Sequence, residues 1–325
     1  LNEIKKYDTR VPCGNISNGL FELLTVIYIL SASKARAQYN LVEAGLLFAS
    51  DSTRLWSKPL FQVCTNLNLQ HKEWIYPKTI NEICRQKVGY LSNKTNIYIG
   101  KQKPKTIKII KGILKKNKSK ITYPSTWRII YKNKKIYYKD SKHKINIRSN
   151  YIHSKGLIDN LGLSIKIALD LNIKPEIIEK TIPKISYEGR IQYIKKGKLR
   201  KLLNKNEELL LDGSHSLESA ANLYNYLKNL NKEIYGIWGM QKNKNPKEYL
   251  KKFKGIFKEI ITFKIVGEQN ALDAKTLKNI AIKQGYIARE ANDVKDTFKK
   301  VSSKKRKLIV LFGSLYGVGS ALKFN

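Results

Sequence analysis

Two places in the sequence gather side chains able to do chemistry. The stretch LLLDGSHSLESAANLYNYL, residues 209–227, runs from three leucines through Asp212 and His215 into a helical pattern. A strand feeding a turn and then a helix N-terminus is where α/β proteins place ligand-handling groups, because the free amides of the first helical turn point toward that junction. Earlier in the chain, Glu43 sits at the end of the apolar run YNLVEAG (39–45), and His71 lies just beyond the next one, FQVCTN (61–66). If both runs are strands of one parallel sheet, their ends converge on an edge where a carboxylate and an imidazole could bind a divalent cation. A lone glutamate and a lone histidine are also ordinary cap, turn or surface groups, so the spacing leaves both readings open.

The elements that must position these groups follow from periodicity. In the first half the pattern predicts a largely buried helix over 20–31, core strands at 39–45 and 61–66, and a helix over 77–86. A strand at 96–100 and a helix after Pro104 complete a βα order. Residues 101–148 hold fifteen lysines and one acid, Asp140, and the run YKNKKIYYKD interleaves aromatics with lysine. That pattern fits stacking and phosphate contacts to a single strand of nucleic acid. It fits equally a two-faced strand with solvated lysines, which is the expectation adopted. Helical periodicity returns at 160–171, and the stretch around 180–188 reads as a boundary.

Beyond it, a strand at 207–211 leads into a helix with Leu217, Ala220, Ala221, Tyr224 and Leu227 on one face. EIYGIWGM (233–240) is the next strand. Asn245, Pro246 and Glu248 then spell an N-cap, a first-turn proline and a reciprocal cap. A strand near 260–265, a helix over 272–284 closed by Gly285, a helix capped by Asp293 with Asp296 three residues on, and a strand at 307–312 complete the pattern. The reading is α/β in two domains, 1–185 and 186–325.

Composition bounds the function. The 325 residues include 63 Lys and Arg against 25 Asp and Glu, a formal charge of +38, with 42% hydrophobic residues. Such a charge raises nucleic acid or an anionic membrane as partners. The lysines, however, spread through almost every helix as solvated surface does, and no nucleic-acid or membrane partner is expected. Cys13, Cys64 and Cys84 have no CxxC spacing, which suits a reducing, cytoplasmic setting and gives no zinc signal. The most apolar run, Leu20 to Leu30, carries Glu22 and is too short to span a bilayer.

Local strings then carry a resemblance. YDTRV, GLFELLT, YNLVEAG, SDST, TNLNLQH, INEICRQKVG, YEGRIQ, LLDGSHS, WGMQKNKNP and FGSLYGVG occur in the order found in the folylpolyglutamate synthases, including the bifunctional dihydrofolate synthases of the Mur ligase superfamily. The resemblance implies a Mur-ligase-type ATPase domain followed by a smaller Rossmann-like α/β domain. It implies ATP and magnesium as cofactors, and ligation of L-glutamate to dihydropteroate or folate through an acyl phosphate, by a monomer. By the same resemblance Glu43 and His71 are magnesium residues, and Lys87 is the lysine the family carbamylates into an anionic oxygen ligand. Asn160 matches an adenine contact and Arg190 the interdomain arginine that reaches ATP phosphate. Asp212 and His215 match nucleotide contacts of the second domain. Lys87, Arg190 and His215 would thus serve catalysis.

The chain departs from the pattern in several places. It contains no G-x-x-x-x-G-K-[ST] string, a loop that in the family precedes the region resembled by residues 7–11. Leu46, Leu47 and Phe48 stand where the family has a glycine-rich turn. Gln70, Gln86 and Ser216 replace an aspartate, a glutamate and an asparagine. The expectation is an incomplete or degenerate ligase, with a noncatalytic protein retaining the fold as the alternative.

Overall fold

The computed structural model describes residues 19–69, 74–132, 135–148 and 154–325. The chain divides into two compact units, 1–126 and 127–325.

Among the described residues, the first unit starts with helix α1 (Leu20–Ala35). A parallel sheet follows, in the order β1 (Phe61–Cys64), β2 (Asn96–Ile99), β3 (Ile121–Thr122). Helix α2 (Ile80–Val88) starts where Thr79 accepts a hydrogen bond from the Glu82 amide, and α3 (Pro104–Ile113) starts with proline in its first turn. Cys64, Leu67, Cys84, Val88, Ile97, Ile99, Ile110 and Leu114 form the core between helices and sheet.

Two expectations fail in this unit. The run at 39–45 is irregular rather than a strand, and Leu41 is 97% exposed. Apolar alternation makes a strand only where a neighbour can complete the hydrogen-bond ladder, and among the described residues β1 pairs only with β2. Helix α1 is the second case: Thr25 is buried, while Leu20, Phe21, Leu23, Leu24, Val26 and Ile29 are exposed. Its apolar residues run all round the helix, so one contact face cannot cover them.

The second unit begins with an antiparallel sheet of β4 (Arg128–Lys132), β5 (Lys135–Lys139) and β6 (Lys144–Ile147). Tyr138, Ile145 and Ile147 are buried on one side, as a two-faced sheet requires. Helix α4 (Lys155–Asp170), capped by Ser154, brings Gly162 against Ile129 and Trp127; α5 (Pro175–Thr181) follows.

The rest of the unit is a six-stranded sheet ordered β11-β10-β9-β12-β8-β7. Its strands are β7 (Gln192–Tyr193), β8 (Glu207–Asp212), β9 (Ile234–Trp238), β10 (Phe257–Thr262), β11 (Ile287–Glu290) and β12 (Lys307–Phe312). All pairings are parallel except β7 with β8. After the short α6 (Lys198–Lys201), the helices α7 (Leu217–Leu227), α8 (Pro246–Lys251) and α9 (Ala274–Lys283) pack on one face. Helices α10 (Val294–Val301) and α11 (Leu315–Leu322) pack on the other. This sheet lies wholly within the expected 186–325 domain, although the compact units divide earlier, after Thr126.

The caps give one success and one correction. Asp293 accepts from the Asp296 amide at 2.8 Å, as the spacing predicts. Asn245 does not cap α8 with its side chain: its φ of 50° places the backbone in the left-handed region, and the reciprocal bond to Glu248 is not formed. The buried stripe of α7 is Ala220, Leu223 and Leu227, while Leu217 is 40% exposed. Strand β11, a short edge strand, was not anticipated.

Candidate functional site

In the first unit the loop after α1 closes around Asp51. Its carboxylate accepts from the Gly45 amide at 2.8 Å and the Thr53 amide at 2.9 Å, and from the Thr53 hydroxyl. An added Cβ at Gly45 would lie 2.8 Å from the Phe21 ring, so the ring would have to shift. Lys87, near the end of α2, donates its ammonium to the Leu46 carbonyl. Burial pulls the Lys87 pKa down, against the opposing pull of Cys64, Asp51 and Glu43. The structure thus brings Lys87 into the electrostatic neighbourhood of Glu43 and Asp51.

Glu43 sits in an irregular, exposed segment and not at the end of a strand. His71 lies outside the described residues. Among the described residues no group of three or more His, Cys, Asp or Glu side chains could hold a metal ion. Carboxylate oxygens are the donors that suit a hard divalent cation, and here Glu43 carries them while both Asp51 oxygens already accept the loop's hydrogen bonds. Cys64 is no nucleophile, because burial first and then the neighbouring Cys84 push its thiol up to about 12.

In the second unit the C-terminal end of β8 is built around Asp212, which is 5% exposed. One oxygen accepts from the Ile191 amide at 2.9 Å and the other from the Ser214 amide at 2.9 Å. The Gly213 amide donates back to the Gly189 carbonyl at 2.7 Å. These bonds clasp the segment Gly189–Arg190–Ile191 to the strand end. The clasp holds an unusual backbone: Gly189 has φ of 65°, and Ile191, β-branched, has φ of 48°. Gly213 leaves room for the arginine, since a Cβ there would lie 2.3 Å from Leu315 and 3.0 Å from Arg190 Nη1. Burial raises the Asp212 pKa, and the hydrogen bonds from Ser214 and Ile191 and the charge of Arg190 oppose the rise.

His215 lies beside this clasp. Its Nδ1 is 2.9 Å from the Gly213 carbonyl, which can only accept, so Nδ1 carries the proton and Nε2 presents a lone pair. Burial lowers its pKa, and Lys244 and Arg190 lower it further, so the ring is neutral near pH 7. The helix that follows is not an open anion cradle. Ser216 accepts from the Ser219 amide, and the Ser219 hydroxyl accepts from the amides of Ser216 and His215. Ser216, which departs from the family's asparagine, therefore works as an N-cap. Arg190, Asp212 and His215 come together; Asn160, half-buried on α4, forms no hydrogen bond to any of them. Sequence reasoning missed Tyr249, fully buried, whose hydroxyl donates to the Ser214 carbonyl at 2.9 Å and fixes the turn from behind.

A mostly parallel sheet with helices on both faces, carrying the buried Asp212 and the half-buried Arg190 and His215 at the carboxyl end of β8, is a doubly wound α/β domain with polar groups where such folds bind ligands. Residues 195–324 match the family model described as dihydrofolate synthetase, C-terminal domain. The dihydrofolate synthetase of Saccharomyces cerevisiae is 22% identical over 327 residues, covering 94% of this chain and 75% of the yeast protein. Among solved structures, E. coli FolC in complex with DHPP and ADP superposes with a TM-score of 0.80 at 18% identity, covering 95% of this chain and 72% of that one. The Yersinia pestis bifunctional folylpolyglutamate synthase/dihydrofolate synthase, complexed with AMPPNP and Mn ion, gives 0.79 at 18% identity over the same shares. Residues 195–324 thus match a dihydrofolate synthetase C-terminal domain, and the chain as a whole shares its fold with solved folylpolyglutamate and dihydrofolate synthases.

Proposed function

We propose that the protein joins L-glutamate to dihydropteroate or a folate in an ATP-dependent reaction through an acyl phosphate. The observation that carries this reading is the clasp that fastens the Gly189–Arg190–Ile191 backbone to the end of β8, with the Arg190 charge felt by both Asp212 and His215. An arginine whose flanking backbone is held by buried hydrogen bonds is placed in advance at the strand end, where its charge can offset that on a transferring phosphoryl group. His215, neutral with Nε2 free to accept, can orient a hydroxyl or a water. Asn160 is assigned to the adenine, and residues 186–325 to the domain that brings these groups to the nucleotide.

Magnesium, where bound, neutralises phosphate charge. Glu43 and His71 are assigned to it, with Lys87 once carbamylated. Lys87, its ammonium disfavoured by burial, has the raised amine fraction that carbamylation requires. A cytoplasmic monomer is part of the same reading.

One observation favours a second reading, a noncatalytic protein that keeps the fold. Glu43 is exposed on an irregular segment beside Leu46–Phe48, where the family has a glycine-rich turn. An assay of ADP release with product mass decides between them. The ligase reading expects a glutamyl amide from dihydropteroate or folate, reduced roughly 100- to 1000-fold in Arg190→Ala, the usual loss for one transition-state donor. Nucleotide binding with no amide product from either acceptor would leave only the noncatalytic reading standing.

A further inference from the structure

The antiparallel sheet of the second unit has an outward face that the ligase reading does not use. On β5 the side chains of Lys135, Tyr137 and Lys139 alternate with the inward Ile136 and Tyr138. The register places Lys132 opposite Lys135, Arg128 opposite Lys139, and Lys139 opposite Lys144. Three like-charged pairs therefore stand directly across strands, an arrangement that destabilises a sheet. None of these five cations forms an ion pair with a described residue. The acids nearby in sequence or across the sheet edge are engaged elsewhere: Asp140 accepts from the amides of Lys142 and His143 and from Tyr138, and Glu179 from the Asn146 amide.

The same face carries a cavity of about 400 Å³, lined by Ile130, Lys132, Lys135, Tyr137, Lys139 and Lys144. The Lys144 ammonium lies 4.7 Å over the Tyr137 ring, drawn in toward the middle of the face. A volume of that size suits a small ligand. Four ammonium groups around it ask for several negative charges in a small space. The lining has no arginine and so no planar fork for a carboxylate, while lysine point charges suit clustered phosphate oxygens.

We infer that the outer face of β4–β6 is a binding site for a compact oligophosphate, whose charge relieves the repulsion among Lys132, Lys135, Lys139 and Lys144. The inference does not rest on the ligase reading. A chain of charge +38 attracts any anion weakly, so the test must separate a local site from diffuse attraction. Tripolyphosphate titrated calorimetrically into the full chain at low salt is the probe.

Replacing Lys132, Lys135, Lys139 and Lys144 together by Gln is expected to weaken binding about tenfold or more, the product of four modest exposed ion pairs. Replacing the exposed Lys251, Lys252, Lys254 and Lys258 by Gln removes the same charge and is expected to change affinity less than about twofold. Arg190→Ala is expected to leave this binding in place. The face variant without ligand is also expected to melt at a higher temperature than the parent, because its opposed charges are gone. Absence of binding, equal losses in both lysine variants, loss in Arg190→Ala alone, tighter binding of citrate than of tripolyphosphate, or a lower melting temperature of the face variant would each overturn the assignment.

Discussion

Asp212 shows how a single buried carboxylate can organise a strand end. Both of its oxygens accept from backbone amides, and the result is a fastened Gly189–Ile191 segment on a backbone that Ile191 would not adopt by itself. Next to it His215 sets a pH limit. Its pKa lies below the ordinary value of about 6.5 because burial, Lys244 and Arg190 outweigh the Gly213 carbonyl and Asp212. The unfolded chain therefore binds a proton more readily than the folded one between the depressed pKa and about 6.5. Stability is full above that window and falls as pH drops through it, by at most about 1.4 kcal/mol per pH unit for one proton. Urea midpoints of the parent should decline on acidification more steeply than those of His215→Gln; parallel declines would show that His215 is not the group responsible.

Among elements, β8 and β12 are tied at their first residues. Lys307 and Glu207 are paired in register, and their side chains, 3% and 0% exposed, meet at 3.3 Å. Glu207 also accepts from the Ser302 hydroxyl and from the amides of Ser303 and Asn204. Lys307→Met would leave that carboxylate buried without its cation, a loss of about 3–5 kcal/mol. Adding Glu207→Gln should recover much of it, and denaturant unfolding of single and double variants reads the difference.

These strands were legible in the sequence, because their cores, 209–211 and 308–312, are unbroken apolar runs, as the interior of a parallel sheet requires. The run at 39–45 carried a similar signal and failed, since a strand depends on a partner that its own residues do not name. Asn245 failed for a related reason: Asn is favoured both as a cap and in left-handed backbone, and composition does not choose. At the site, Asp212 and His215 stood out by type and place. The clasp on Ile191 did not, because a positive φ at a β-branched residue is imposed by tertiary hydrogen bonds rather than by local preference.

At the scale of the whole molecule, charge is the dominant variable. A formal +38 on 325 residues makes the compact chain repel itself, and salt shortens that repulsion to about 10 Å at 0.1 M. Melting temperature should therefore rise as sodium chloride is raised from about 0.01 to 0.3 M. A fall over that range would mean that attractive ion pairs, such as Arg289 with Glu259, outweigh the net repulsion.

The order of the six-stranded sheet also governs how it can be made. β12, with all six residues buried, inserts between β8 and β9, about a hundred residues after β8 in the chain. During synthesis β8 and β9 emerge from the ribosome long before the strand that joins them. Until residue 312 clears the exit tunnel, each presents an open edge to any other chain, and the domain cannot close its sheet.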